Sequence, residues 1–227
     1  MNDDYKPIAQ VLEATLPRIY AMHRLVSPSI APVELSSLVE PVLESIKWMQ
    51  PRPGLRSCAQ TLKKQPRQES SNPTEFNLVA VTNGGLDVTR NWYSKAFSEE
   101  AGEFEWWSYV SCDEIGVAKP DQRVYENVWK RMETDEERVS ERNRRQQQQG
   151  PGGEEAGGGG SVRRGWFVAS HAWDLHAAKK AGFKTAFVKW EEHFVLSELF
   201  GEPDVVAQDL AEAARRIVEW EDAHQNE

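Results

Sequence analysis

The sequence predicts an α/β protein built on a parallel sheet with helices on both faces. Two observations lead there. From about residue 54 onward, short apolar runs ("FNLVAVTN", "WWSYVSC", "GWFVAS", "KTAFVKW") alternate with stretches of helical pattern, and repeated strand–helix alternation implies right-handed crossovers between parallel strands. The 227 residues are 39 % apolar and include nine Trp and eight Phe, enough material for a sizeable core.

The elements follow in order. Residues 5–25 place Ile8, Val11, Leu12, Thr15, Leu16 and Ile19 at three- and four-residue spacing, a helix that Pro17 should bend. After "SPSIAP", residues 33–48 carry Leu35, Leu38, Val39, Val42, Leu43 and Ile46 on one helical stripe. "QPRPG" at 50–54 is a hard break and is read as a domain boundary. Beyond it, "LRSCAQTLKK" reads as helix, "FNLVAVTN" as strand, "LDVTRNWYSKAF" as helix and "WWSYVSC" as strand. "PDQRVYENVWKRM" opens with a proline, which suits a first helical turn. "GWFVAS" is a strand, "AWDLHAAKKAG" a helix ending at Gly182, "KTAFVKW" a strand, and "DVVAQDLAEAARRIVEW" a short strand with a closing helix. Residues 133 to about 163 are charged, then Gln-rich, then Gly-rich, with almost no apolar anchor. Such a segment buries too little surface to offset its chain entropy and reads as a disordered insert, inert or serving as a docking tail. The expected organisation is a helical part over 1–50 and an α/β core over 51–227 that carries the insert.

Charge narrows the function. A formal charge of −9 and a pI near 5.2 argue against a general binder of nucleic acid or anionic membrane, since both need a basic face. No apolar run approaches the roughly 18 residues of a membrane span, and the polar, acidic "MNDDYKPIAQ" is no secretory signal. Cys58 and Cys112 lack metal-ligand spacing; they read as two reduced thiols, with a disulfide between them left open. A soluble cytoplasmic protein is the expectation.

In open parallel sheets, ligands bind beyond the carboxyl ends of the strands, so the residues after each strand are the candidates for chemistry. The first strand is followed by Thr82-Asn83-Gly84, the second by a short loop to Lys119-Pro120 with Tyr125 six residues on, and the third by Ser170-His171-Ala172-Trp173-Asp174. A hydroxyl with amide donors, a cation and a carboxylate at one sheet rim suit the handling of an anion. Each group has a plainer reading alone: Asn-Gly is a strong hairpin signal, a lysine before proline is commonly a solvated charge, and Asp174 fits a helix-start acid.

At these residues the chain resembles a known family. "AVTNGG", "CDEIGVAKPDQRVYE" and "GWFVASHAWDLHAAKKAGFKTAFV" resemble motifs two, three and four of the haloacid dehalogenase (HAD) superfamily, most closely its L-2-haloacid dehalogenase type. The resemblance implies a HAD-like Rossmannoid core with a helical cap, part of which the helices before residue 50 would form. It implies hydrolysis of a small 2-substituted carboxylic acid through an aspartyl-ester intermediate. Thr82 and Asn83 would then meet the substrate carboxylate, Lys119 would offset the charge of a nucleophilic aspartate, and Tyr125 matches a tyrosine often found six positions later. Asp174 matches the motif-four acid that helps hold the lysine and the hydrolytic water.

Three departures qualify the resemblance. Relatives often carry Ser-x-Asn where this chain has Ala169-Ser170-His171; His171 either replaces the amide as a hydrogen-bonding group or caps the following helix. Metal-dependent phosphatases of the superfamily usually have a further acid there to hold Mg²⁺, a hard cation that wants oxygen ligands. Ala169 and Ser170 offer none, so the expectation is no metal and no cofactor. The family's first motif, an apolar strand ending in Asp-x-x-Gly-Thr, occurs nowhere in the 227 residues. By resemblance that strand is central to the sheet, so without it the strands that should pair with it face an apolar slot. Losing an attacking group costs on the order of 10⁶ in turnover. Two readings therefore stand: a 2-haloacid dehalogenase-type hydrolase, truncated or inactive as given, and a non-catalytic HAD-like protein that binds a small anion or a protein partner. A dinucleotide-binding module is disfavoured, because no G-x-G-x-x-G follows any strand. A homodimer is among the expected assembly states.

Overall fold

A computed structural model describes residues 5–26, 36–63, 76–97, 108–147 and 165–224. The chain divides into two compact units, Met1–Lys119 and Pro120–Glu227.

The first unit begins with α1 (Ile8–Val26) and α2 (Ser36–Lys47), which pack together, followed by α3 (Leu55–Lys63). Both long helices contain an internal proline, Pro17 and Pro41. Then come β1 (Val79–Thr82), α4 (Leu86–Ala96), β2 (Ser108–Ser111) and the short α5 (Cys112–Ile115). β1 and β2 pair in parallel, with Val79 opposite Ser108 and Thr82 opposite Ser111. Asn83-Gly84 therefore does not turn a hairpin; it leads from a strand into α4, the crossover helix that parallel pairing requires. Ala59, Ala96 and Phe97 form a small core with Leu55, Leu78 and Tyr93 against it. α2 is fastened to α4 by the Trp92 indole, which donates to the Ile46 carbonyl at 2.9 Å, and by Lys95 over the Trp48 ring.

The second unit starts with α6 (Gln122–Gln147) and continues through β3 (Trp166–Ala169), α7 (Ala172–Lys180), β4 (Lys184–Val188), α8 (Ser197–Phe200), β5 (Val205–Ala207) and α9 (Leu210–Ala223). Its sheet is parallel in the order β3-β4-β5. Phe187 and Val188 on β4 are buried with Ala178 of α7 and Ala214 and Ile217 of α9, and each fully buried large apolar side chain contributes about 1.5–3 kcal/mol. α7 ends as expected. Gly182 takes φ +94, and its N–H and that of Phe183 reach back to the Lys179 and Ala178 carbonyls, closing the helix in the conformation glycine tolerates best. Gly165, just before β3, leaves no room for a side chain, since a Cβ there would lie 2.7 Å from the Trp129 ring.

Two features differ from or extend the sequence reading. The expected disordered insert begins with helix, because α6 runs on to Gln147. Glu, Arg and Gln are good helix formers even without apolar anchors, and no Gly or Pro interrupts them before Gly150. The remainder of the insert, 148–164, lies outside the described residues. The open question on the cysteines is answered: Cys58 and Cys112 form no disulfide. Among the described residues, β1 pairs only with β2 and β3 only with β4. On β3, Val168 is 38 % exposed, an unusual state for a strand of a parallel sheet.

Candidate functional site

In the first unit, the site is built at the ends of β1 and β2. Thr82 is the last residue of β1, and its Oγ1 accepts a hydrogen bond from the Gly84 N–H at 2.9 Å, folding the chain into a tight turn. A Cβ at Gly84 would lie 3.3 Å from that hydroxyl oxygen, so the close approach favours glycine. Asn83 uses its side-chain oxygen to accept the backbone N–H of Lys119 at 2.9 Å, and Lys119 Nζ lies 3.5 Å from the Val81 carbonyl. Between β2 and Lys119, Gly116 caps α5 in the left-handed region at φ 76. The structure thus brings Thr82, Asn83 and Lys119 together, three of the residues expected from sequence. Asn83 acts there as a staple that fixes Lys119 and still has its NH₂ to donate.

Two further residues at this rim carry no motif and escaped the sequence reading. Ser111, fully buried at the end of β2, donates to the Gly84 carbonyl at 2.9 Å and accepts the Asp113 N–H at 3.2 Å. Tyr5, just ahead of α1, donates to Asp113 Oδ1 at 2.6 Å. Burial, and then the Asp113 carboxylate, push the Tyr5 phenol well above its ordinary range.

In the second unit, Asp174 lies in the first turn of α7, almost fully buried, and accepts a hydrogen bond from the hydroxyl of Tyr125 on α6. Tyr125 is fully buried, with its ring edge-on to Phe167 at 5.3 Å. Both expected residues meet. Ser170 directly follows β3 and is half-buried. His171 occupies the N-cap position of α7 but makes no side-chain capping bond; its Nε2 pairs instead with Glu191 at 3.1 Å. The N-terminus of α7 is served by Glu192, which accepts the Ala172 N–H at 2.8 Å, a favourable place for a carboxylate. Glu191 and Glu192 follow β4, so the rule that chemistry sits at strand ends could have found them.

Among the described residues, no group of three or more His, Cys, Asp or Glu side chains is placed to hold a metal ion, and no helix is long and apolar enough to cross a membrane. A shallow, open cleft of about 10 Å³ in the second unit, lined in part by His176, Lys179 and Phe200, includes none of the candidate residues. Its polar walls are engaged with backbone: His176 Nδ1 lies 2.9 Å from the Phe200 carbonyl, and Lys179 donates to that of Glu202.

No family model matches the chain, and no curated protein matches it in sequence. Solved structures do match. An L-2-haloacid dehalogenase from Xanthobacter autotrophicus superposes with a TM-score of 0.57 at 18 % identity, covering 94 % of this chain and 77 % of that one. A second L-2-haloacid dehalogenase gives 0.58 at 18 % identity, covering 94 % and 74 %. A dehalogenase solved with an intermediate complex gives 0.55 at 16 % identity, covering 90 % and 81 %. The chain has the haloacid dehalogenase-like α/β fold expected from its motifs. At this identity the likeness is one of fold.

Proposed function

We propose that the chain handles a small carboxylate in the manner of the 2-haloacid dehalogenase-type hydrolases, with Thr82 and Asn83 meeting the carboxylate. Lys119 and Asp174 take the roles the family resemblance gives them, with Tyr125, Ser170 and His171 in support. The observation that carries this reading is the Asn83–Lys119 staple. It fixes the backbone of a cation-bearing residue to the turn that carries the Thr82 hydroxyl, and a hydroxyl and an ammonium at one sheet end suit an anion. Residues 1–50 serve as part of the cap and 51–227 as the core. In this reading neither a metal nor a cofactor takes part, the protein acts in the cytoplasm, and a homodimer is one of its candidate assembly states.

The second reading is a non-catalytic anion-binding protein that keeps the same strand-end groups. One experiment separates the two. Calorimetric titration with (S)-2-chloropropionate is expected to show binding that Lys119→Ala weakens at least tenfold. Halide release by the same chain is expected to be indistinguishable from a heat-killed control. Binding without release supports the non-catalytic reading for this chain, release that Asp174→Ala abolishes supports the hydrolase, and no binding at all overturns both.

A further inference from the structure

Four hydrogen bonds of the first unit link Tyr5 to Thr82 in series. Tyr5 donates its O–H to Asp113 Oδ1 at 2.6 Å, and the Asp113 N–H donates to Ser111 Oγ at 3.2 Å. The Ser111 O–H donates to the Gly84 carbonyl at 2.9 Å, and the Gly84 N–H donates to Thr82 Oγ1 at 2.9 Å. The roles are forced, because a carbonyl only accepts and an amide N–H only donates. Ser111 therefore has its single proton committed to Gly84, and Thr82, having accepted, retains its own proton to donate. Every donor points from Tyr5 towards Thr82.

From this geometry we infer that Tyr5 and Ser111 are positioning residues that set the Thr82 hydroxyl as an anion donor, and that Tyr5 makes the turn respond to where α1 begins. The inference rests on the reading of Thr82 as a carboxylate-binding group. The Ser111–Gly84 and Gly84–Thr82 links fix the rotation of the turn between β1 and α4. Ser111 is fully buried, so water cannot replace its hydroxyl in both bonds without rearrangement. Tyr5 lies only three residues before the first residue of α1. A displacement of that helix start draws on Asp113, then on Ser111 and the turn. Thr82, the residue meant to meet the ligand, thus reports on a segment far from it in sequence.

The test uses the full chain and three substitutions. Ser111→Ala removes the middle link, Ser111→Thr keeps the hydroxyl, and Tyr5→Phe removes only the first donor. Val110→Ala thins the same strand without touching the chain and serves as the stability control. Calorimetry with (S)-2-chloropropionate measures affinity, and amide resonances of Gly84 and Thr82 report the turn itself. Ser111→Ala is expected to weaken binding at least tenfold, Tyr5→Phe about threefold, and Ser111→Thr and Val110→Ala less than twofold. Tyr5→Phe is expected to shift the Gly84 and Thr82 amides, which Val110→Ala leaves in place. Undisturbed Gly84 and Thr82 amides in Tyr5→Phe, or a loss of affinity in Val110→Ala equal to that in Ser111→Ala, would overturn the inference. If the unsubstituted chain binds no carboxylate, the proposed function fails by itself, and the amide shifts still decide whether Tyr5 sets the turn.

Discussion

Removing the Tyr125 hydroxyl tests the buried pair at the start of α7. Tyr125→Phe keeps the ring, its edge-on contact with Phe167 and its complete burial, and deletes the hydroxyl. That donor serves Asp174, a carboxyl that is only 3 % exposed. Losing one donor to a buried carboxyl costs about 1.5–3 kcal/mol. For a protein of this length each kcal/mol moves the thermal midpoint by about 2–4 °C, so the expected fall is roughly 3–12 °C. Differential scanning calorimetry on the full chain measures it. Asp174→Asn, whose amide oxygen still accepts from Tyr125, should lose less than Tyr125→Phe, and the two losses should not add in the double variant. A Tyr125→Phe midpoint within about 1 °C of the parent, or fully additive losses, would refute the claim that these side chains are coupled.

Other expectations follow from the same reasoning. Gly165→Ala places a methyl 2.7 Å from the Trp129 ring and 3.0 Å from Phe183, two rings stacked on each other at 4.5 Å; such overpacking costs about 1–3 kcal/mol and should appear in urea denaturation as a lower midpoint with an unchanged slope. Burial works against ionisation of Asp204, but the Thr185 N–H and hydroxyl, with Lys179 and Lys184, outweigh it and hold the carboxyl below its ordinary range. A depressed carboxyl contributes stability above its unfolded pKa of about 3.9, and that contribution is lost as pH falls through the folded value. The thermal midpoint should therefore drop below about pH 4 more steeply in the parent than in Asp204→Asn, and parallel curves would exclude Asp204 as the cause. Lys119→Ala should weaken 2-chloropropionate binding while leaving the thermal midpoint nearly unchanged; a stability loss matching the loss of binding would recast Lys119 as structural.

Much of this molecule is written in local pattern. Among the described residues, the spacing of apolar residues located most of the helices and the strands between them, since periods of 3.6 and 2 follow directly from backbone geometry. Strand–helix alternation determined the parallel pairing, because consecutive parallel strands need a crossover. The strand-end residues Thr82, Lys119 and Asp174 stood out for the same reason, their chemistry lying where such sheets bind ligands. Local pattern failed in the acidic and Gln-rich stretch, where low apolar content suggested disorder but intrinsic helix preference carried α6 to Gln147. Only the tertiary structure decided the partners. His171 faces Glu191, Asn83 holds a backbone amide 36 residues away, and Ser111 with Tyr5 completes a chain of donors ending at Thr82. A hydrogen bond requires its donor and acceptor within about 3 Å and in line. Sequence spacing sets such geometry only within an element, while between elements it is the packing of the core that brings the two groups together.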